Sequence, residues 1–328
     1  MKTLKRLLCF ALCIVTLTLY GCGTQPTKQT EGTTTAPEET IDPGTPLCDG
    51  KTLKLLAITS SFGKNTTDFL YDIAKAEGCT DVVIGRLYGS GCTLKMHVEN
   101  AQTNANYYQY TKNTGNGWDQ MESIPLSYGL KDEDWDIIFV QQSAGQAGNE
   151  ITYGNYLDQL MEYIHANKTN PKARFVWNMT WAYQSDSTQD VFVDRFQSNQ
   201  MLMYNAIVDV TNNKIVPRTD IDRIIPSGTV IQNARTSVIG DHLCRDTYHL
   251  DNFGGIMVAY GLYAVLTGQE LTEIHLDTAT CKIGISGGDA LHRGLTDTEK
   301  AIIIESVNNA IKKPFAVTPS AITEEFGG

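Results

Sequence analysis

Residues 53–63 read Leu53-Lys-Leu-Leu-Ala-Ile-Thr-Ser-Ser-Phe-Gly63, an apolar run that ends in a pair of serines. A short apolar run predicts a strand buried on both faces, and serines directly after a strand are typical of a helix cap. Strands are also predicted at residues 81–88, 135–141, 173–178 and 221–226. Helical spacing of apolar residues appears between or after them, at 68–75, 156–165, 190–210, 253–266 and 296–311. This alternation predicts an α/β domain with a mostly parallel, five-stranded sheet and helices on both faces.

The composition of the 328-residue chain is that of a globular protein, with 41% hydrophobic and 19% charged residues. It excludes a wholly disordered, collagen-like or coiled-coil chain. The formal net charge of −11 argues against a nucleic-acid partner, which requires a basic surface. Residues 107–118 carry paired aromatics around Asn113-Thr-Gly-Asn-Gly117, a pattern that indicates a hairpin insertion. No internal repeat or second linker interrupts the rest, so we expect one folded domain over residues 49–328.

The first residues resemble an export signal. A basic start, Met1-Lys-Thr-Leu-Lys-Arg6, precedes an apolar run that ends in Leu19-Tyr-Gly-Cys22. This is similar to a bacterial lipoprotein signal peptide over residues 1–21 with Cys22 as the lipidated residue; an ordinary signal peptide is the alternative. Residues 22–48 are rich in Thr, Pro and Glu, which predicts a disordered tether. The expected location is the bacterial cell envelope, with the domain outside the cytoplasm and anchored to the membrane through lipid at Cys22.

Four loops carry residues from which a catalytic site could be assembled. In open α/β sheets, ligands bind at the carboxyl ends of the strands. The first three strands are followed by Ser60-Ser61, Gly89-Ser-Gly-Cys-Thr-Leu94 and Gln141-Gln142, and Arg245-Asp-Thr-Tyr-His-Leu250 comes late in the chain. A serine becomes a nucleophile when a histidine takes its proton and a carboxylate orients that histidine. Backbone N–H groups and a side-chain amide can bind the oxyanion that then forms.

In their order along the chain, these motifs resemble those of the SGNH (GDSL-like) serine hydrolases. More narrowly, the chain resembles an uncharacterised bacterial branch of that superfamily. The matching stretches are Ser60-Ser-Phe-Gly63, Leu87-Tyr-Gly-Ser-Gly-Cys-Thr-Leu94, Trp135-Asp-Ile-Ile-Phe-Val-Gln-Gln142, Trp181-Ala-Tyr183, Gln232-Asn-Ala-Arg235 and Arg245-Asp-Thr-Tyr-His-Leu250. The resemblance covers about residues 52–270 and implies a flavodoxin-like three-layer α/β/α sandwich, the SGNH hydrolase fold. Thr59-Ser60 stands where the branch has Gly-Asn, and Gly63 stands where it has Ser. Loss of the glycine predicts crowding in the turn that holds the nucleophile.

The resemblance also implies a serine esterase with a catalytic triad and an oxyanion hole. The triad would consist of Ser61, His249 and Asp246, with Ser60 as the alternative nucleophile. The oxyanion would be bound by the N–H groups of Ser61 and Gly91 and by the side-chain amide of Gln142 or Gln141. The implied substrate is an O-acyl ester, most often an acetyl ester of a carbohydrate, and no cofactor is expected. The alternative function is a glycan- or peptide-binding surface lipoprotein on the same fold, with weak or no catalysis.

Other residues in these motifs are candidate substrate contacts. Trp181 and Tyr183 follow the fourth strand and would either line a sugar-binding rim or pack in the core. Asn233 and Arg235 are expected to begin a helix near the site. Arg235 would either bind substrate or pair with an acid such as Asp241, and the arginine directly before the Asp-x-x-His motif is expected in a structural ion pair.

The remaining histidines and cysteines indicate neither a metal site nor a disulfide scaffold. None of those histidines has the spacing of metal ligands. Three of the eight cysteines fall at positions 9, 13 and 22. The others are Cys48, Cys79, Cys92, Cys244 and Cys281. An odd number leaves at least one thiol unpaired within the chain, and we expect a mostly unbridged domain.

Overall fold

The computed structural model describes residues 45–279, 281 and 293–326, so the predicted signal, Cys22 and most of the tether lie outside it. Its strands are β1 (Thr52–Thr59), β2 (Asp81–Tyr88), β3 (Tyr108–Asn113), β4 (Trp118–Ile124), β5 (Ile137–Val140), β6 (Arg174–Asn178) and β7 (Arg223–Ile225). Its helices are α1 (Ser61–Thr67), α2 (Leu70–Ala76), α3 (Leu94–Thr103), α4 (Leu126–Asp132), α5 (Ala144–Ala147), α6 (Tyr156–Asn167), α7 (Asp190–Phe196), α8 (Gln200–Lys214), α9 (Ser227–Ala234), α10 (Asn252–Thr267) and α11 (Asp297–Lys312). Within these ranges no helix has the length and apolar character needed to cross a membrane.

The strands form one mixed sheet in the order β4-β3-β2-β1-β5-β6-β7. Strands β2, β1, β5, β6 and β7 are parallel, in the order of a doubly wound flavodoxin-like sheet. Strands β3 and β4 extend one edge in antiparallel pairing, with Tyr88 opposite Gln109. The prediction of five strands is therefore wrong in number. The segment predicted as a hairpin insertion pairs along β2 and continues the sheet to seven strands.

The central strand β1 alternates between two apolar cores. Leu55 and Ala57 pack on the face that carries α1, α2, α10 and α11. Leu56 and Ile58 pack on the face that carries α3, α4 and α6. The sheet is thus covered on both sides, and the carboxyl ends of its parallel strands open at one edge, where the candidate loops begin.

Arg86 of β2 ties the hairpin to the parallel part of the sheet. Its guanidinium carbon lies 3.6 Å from the centroid of the Trp118 ring on β4, and its Nε donates to Oγ1 of Thr111 on β3 at 3.0 Å. It also forms an ion pair with Asp68, and the two side chains are only 4% and 5% exposed. A buried cation is tolerated when a carboxylate and an aromatic face compensate its lost hydration.

Two helices differ from the sequence prediction. Residues 190–210 form two helices because Gln197 and Ser198 adopt φ values of +54° and +53°, a left-handed conformation that ends α7. Asn233 and Arg235 do not begin a helix. Asn233 lies in the last turn of α9, and Arg235 is its C-cap.

Candidate active site

The serine pair lies at the junction of β1 and α1. Ser60 occupies the N-cap position with an extended backbone, but its side chain makes no capping hydrogen bond. Its Oγ instead accepts a hydrogen bond from Nε2 of Gln141 at 3.1 Å, and the residue is 2% exposed. Ser61 is the first residue of α1 and is half-buried. Of the two hydroxyls, that of Ser61 is the more accessible to a substrate.

Thr59 and Gly63 are complementary in size. Thr59 is fully buried, and its hydroxyl donates to the carbonyl oxygen of Ser60 at 2.9 Å. A Cβ atom on Gly63 would lie 1.9 Å from Oγ1 of Thr59 and 2.9 Å from Oε1 of Gln141, closer than non-bonded atoms approach. The two departures from the resembled pattern therefore compensate each other. The side chain gained at position 59 fills the space of the one lost at position 63, which relieves the expected crowding.

The loop after β2 is attached to the serine turn. The N–H of Gly89 donates to the carbonyl oxygen of Thr59 at 3.0 Å, and the N–H of Cys92 closes a turn onto Gly89 at 3.2 Å. Gly91 within this turn has a φ of +59°, in the left-handed region that favours glycine. Neither the N–H of Gly91 nor that of Ser61 is hydrogen-bonded to any residue that the structure describes. Two backbone donors, one at the start of α1 and one on the adjoining loop, are therefore available to an oxyanion.

The two candidate amides have different surroundings. Gln142 is fully buried; its Oε1 accepts from the N–H of Leu94 at 3.0 Å, and its Nε2 donates to Oγ1 of Thr152 at 3.2 Å. Gln141 donates to the serine pair as described, and its Oε1 accepts from Nδ2 of Asn178 at 2.9 Å. The structure thus brings Gln141 against the serine turn, whereas Gln142 anchors the start of α3.

Asp246 and His249 form a hydrogen-bonded pair on one tight turn. Oδ2 of Asp246 accepts from Nδ1 of His249 at 2.7 Å, and Oδ1 accepts from the backbone N–H of His249 at 2.8 Å. Thr247 between them has a φ of +72°, which closes the turn. With Nδ1 as the donor, Nε2 is the acceptor of the neutral ring. This is the orientation in which a histidine takes a proton from a nucleophile.

Aromatic side chains hold this turn against α1. Phe62 stacks on Trp181 with ring centroids 4.1 Å apart and meets the ring of His249 edge-on at 5.8 Å. Nε1 of Trp181 donates to the carbonyl oxygen of Tyr248 at 2.9 Å, and the Tyr248 ring lies 4.0 Å from that of His249. Trp181 and Tyr183 are 0% and 5% exposed. Of the two roles expected for them, the structure supports packing beneath the turn.

The protonation states of the pair suit a general base. Burial lowers the pKa of His249, and the hydrogen bond and charge of Asp246 offset this only in part. Burial acts to raise the pKa of Asp246, but the hydrogen bonds from His249 outweigh it, and that pKa is lowered. Near neutral pH the imidazole is therefore neutral and the carboxylate ionised.

The remaining polar candidates are engaged elsewhere. Nδ2 of Asn233 donates to a backbone carbonyl of α11 at 3.3 Å. Arg235 is buried with its Nε 2.7 Å from Oδ1 of Asp241, so the structure supports its pairing role and does not present it to a substrate. Nη1 of Arg245 donates to the carbonyl oxygen of Leu250 at 2.8 Å. Among the described residues no carboxylate lies within ion-pair distance of Arg245, so the ion pair expected for it does not form.

No group of three or more potential metal ligands occurs within the described part of the chain. The five cysteines that follow Cys22 are free thiols. Burial raises the pKa of both Cys92 and Cys244 to about 12, so the thiols beside the Gly91 and Asp246 loops stay protonated.

Three residues at the site were not singled out from the sequence. Phe62 and Tyr248 lie inside the quoted motifs, beside Ser61 and His249, and this adjacency was the available signal. Lys64 lies three residues after Ser61, the helical spacing that places two side chains on one face.

Comparison with known proteins identifies one family. The sequence pattern of DUF4886, a domain of unknown function, matches residues 54–280. The crystal structure of a DUF4886 family protein from Bacteroides uniformis is 34% identical with a TM-score of 0.71, and the match covers 82% of this chain and 98% of that one. A protein from Slackia heliotrinireducens, proposed to be an SGNH hydrolase, is 16% identical with a TM-score of 0.41, over 67% of this chain and 100% of that one. No functionally curated protein matches the chain significantly.

Proposed function

The chain belongs to the DUF4886 family, and we propose that it is a serine hydrolase that cleaves ester bonds. Ser61 is the nucleophile, His249 the general base, and Asp246 the residue that orients His249. The observation that carries this proposal is the 2.7 Å hydrogen bond between His249 and Asp246 at the sheet edge where the serine pair lies. The contact between the rings of Phe62 and His249 keeps the histidine beside the start of α1.

The proposed reaction has two halves. Nε2 of His249 takes the proton of Ser61 while Oγ attacks the carbonyl carbon, and the N–H groups of Ser61 and Gly91 bind the oxyanion. Collapse of this intermediate breaks the ester C–O bond, and His249 protonates the leaving alkoxide. Water then attacks the acyl-enzyme with His249 as base, which releases the carboxylic acid and restores Ser61. Asp246 stabilises the imidazolium that forms in each half.

Two features favour Ser61 over Ser60 as the nucleophile. Ser61 is half-buried, whereas Ser60 is enclosed and bound to Gln141. The buried network from Ser60 through Gln141 to Asn178 fixes the backbone directly before the proposed nucleophile. We therefore assign positioning roles to Gln141 and to Gln142, which hold the two loops, and assign oxyanion binding to the backbone donors.

The proposed substrates are O-acyl esters, and acetyl esters of carbohydrates are the first class to test because of the sequence resemblance. Lipid anchoring in the cell envelope stays a prediction from the sequence. Labelled fatty acid should enter the full chain and fail to enter a Cys22→Ser variant. Equal incorporation into both would contradict anchoring at this residue.

Hydrolysis of 4-nitrophenyl acetate tests the proposed function. Ser61→Ala and His249→Ala should each lower kcat/KM by at least about 10³-fold. Ser127→Ala on α4 and His165→Ala on α6 are matched controls, since they delete the same groups outside the site and should retain the activity. Equal rates in all five proteins would contradict the proposal and favour the non-catalytic binding protein.

A further inference from the structure

Gly91 lies in the exposed middle of a turn that begins at Gly89 and ends at Cys92. Ser90 and Gly91 are both exposed, and a Cβ atom on Gly91 would meet no described atom beyond its chain neighbours within 4 Å. The two ends of the turn are fixed. The N–H of Gly89 donates to the carbonyl oxygen of Thr59, and the N–H of Cys92 donates to that of Gly89. The position of the Gly91 N–H therefore depends on what holds Gly89 and Cys92.

A buried imidazole contacts the Cys92 end of the turn. Sγ of Cys92 lies 3.5 Å from Nδ1 of His97 on α3, and the same Nδ1 lies 2.8 Å from the hydroxyl oxygen of Tyr108, the first residue of β3. All three residues are at most 1% exposed. Burial lowers the pKa of His97 to about 4, so the ring is neutral near neutral pH. Its Nε2 has no hydrogen-bond partner among the described residues, so the polar contacts of the ring are made by Nδ1.

Tyr107 contacts the Gly89 end of the turn. A Cβ atom on Gly89 would lie 2.6 Å from Cε1 of Tyr107 and 2.9 Å from Cβ of Cys92, so the ring can pack this closely only against a glycine. The hydroxyl of Tyr107 lies 3.5 Å from the carbonyl oxygen of Ser90, and its ring meets that of Tyr108 edge-on at 5.3 Å. Two neighbouring tyrosines therefore support the two ends of the turn, one by direct contact and one through the imidazole.

Both tyrosines lie at the open end of the hairpin formed by β3 and β4. Because β3 runs antiparallel to β2, its first residues lie beside the last residues of β2, with Gln109 opposite Tyr88. The N–H of Tyr107 donates to the carbonyl oxygen of Ile124, the last residue of β4, at 3.2 Å, and Tyr108 pairs with Ile124 across the hairpin. The two strands that extend the sheet therefore end against the turn that carries the candidate oxyanion donor.

We propose that His97, Tyr107 and Tyr108 are positioning residues that hold the N–H of Gly91 in place for the oxyanion. The hairpin then belongs to the active site through these contacts, and this role rests on the proposed esterase function. Loss of one oxyanion donor lowers kcat by about 10²–10³-fold, so a donor that is present but misplaced should cost about tenfold. Because the oxyanion forms only during the reaction, kcat and kcat/KM should fall alike.

Two amide replacements of His97 distinguish positioning from the filling of space. Asparagine places its amide where Nδ1 lies, whereas glutamine places it near Nε2, which has no partner among the described residues. His97→Asn should therefore keep most of the hydrolysis of 4-nitrophenyl acetate, and His97→Gln should lower kcat and kcat/KM by about tenfold. Rates are expressed per molecule of Ser61 that a fluorophosphonate labels, so that unfolded protein does not count.

Tyr107 and Cys92 are tested in the same assay. Tyr107 is 37% exposed, so its replacement should leave the core intact. Tyr107→Ala should lower kcat and kcat/KM by about tenfold, whereas Tyr107→Phe, which keeps the ring against Gly89, should retain both. Cys92→Ala should behave like Tyr107→Ala. Its matched control is Cys79→Ala, which removes a thiol that is 2% exposed and lies before the first residue of β2, at the other end of that strand, and which should retain the activity.

Full activity in His97→Gln, Tyr107→Ala and Cys92→Ala would overturn the positioning role and leave the esterase intact. A loss as large in His97→Asn as in His97→Gln, or as large in Cys79→Ala as in Cys92→Ala, would overturn it too, because packing alone would then explain the effect. If the His97 variants fail to fold, Tyr107→Ala and Tyr107→Phe decide the question. Hydrolysis that Ser61→Ala retains would overturn the esterase, and the positioning role with it.

Discussion

Addition of one methyl group at position 63 probes the fit between Thr59 and Gly63. In Gly63→Ala, the new Cβ would lie 1.9 Å from Oγ1 and 2.8 Å from Cβ of Thr59. Thr59 is buried and its hydroxyl is bonded to Ser60, so this neighbour has no room to move. Alanine is better than glycine inside a helix by roughly 0.5–1 kcal/mol, whereas overpacking costs about 1–3 kcal/mol. We expect the free energy of unfolding to fall by about 1–2 kcal/mol.

Urea unfolding measures this change. Gly261→Ala in α10 is the matched control, because the nearest atom to its new Cβ would be Cγ2 of Val230 at an ordinary 3.4 Å. Thr59→Gly removes the obstructing side chain, so the double variant should be more stable than additivity predicts by at least about 1 kcal/mol. Compensation in size between Thr59 and Gly63 is refuted if Gly63→Ala is as stable as Gly261→Ala, or if the effects of Gly63→Ala and Thr59→Gly on stability are additive.

Activity should fall as the pH drops through the pKa of His249, because protonation removes the base, and the midpoint should lie below 6.5 because burial lowers that pKa. Asp246→Asn removes a charge that raises the pKa of His249, so the acid limb of the pH–rate profile should move to still lower pH, and kcat should fall at least about 10²-fold. A shift of the acid limb to higher pH would contradict the role assigned to Asp246. Asp68→Asn leaves the buried Arg86 unpaired and should lower the free energy of unfolding by about 3 kcal/mol in urea titrations. Lys95→Gln, which breaks an exposed ion pair, should change the free energy of unfolding by under about 0.5 kcal/mol. Equal losses of stability in Asp68→Asn and Lys95→Gln would contradict the expected effect of burial.

The parallel strands could be predicted because each is a short apolar run buried on both faces. Strand β2 begins and ends where the sequence indicates, and the other four lie within two residues of their predicted bounds. The pairing of the hairpin with β2 could not be predicted. It depends on Arg86 reaching Trp118 and Thr111, contacts between residues far apart in the chain. Helix α3 was not predicted either, because its mean hydropathy is low and it is anchored from outside by Gln142.

Some features of the candidate site could likewise be predicted from the sequence, and others could not. Asp246 and His249 could be predicted as partners because three residues separate them and one turn closes the hydrogen bond. The role of each glutamine could not. Alternation along a strand separates the two side chains, but the amide of Gln141 that donates to Ser60 also accepts a hydrogen bond from Asn178, which is 37 residues further along the chain. The compensation in size between Thr59 and Gly63 could not be predicted either, since their atoms come together only in the folded turn.

Covalent labelling with a fluorophosphonate, followed by peptide mapping, tests the proposed triad most directly. The reagent traps a serine only where a base activates it and backbone donors bind the developing charge. We predict a single label on Ser61, strongly reduced in His249→Ala and retained in Ser127→Ala. A label on Ser60, a label that persists without His249, or no labelling of the folded protein would contradict the assignment.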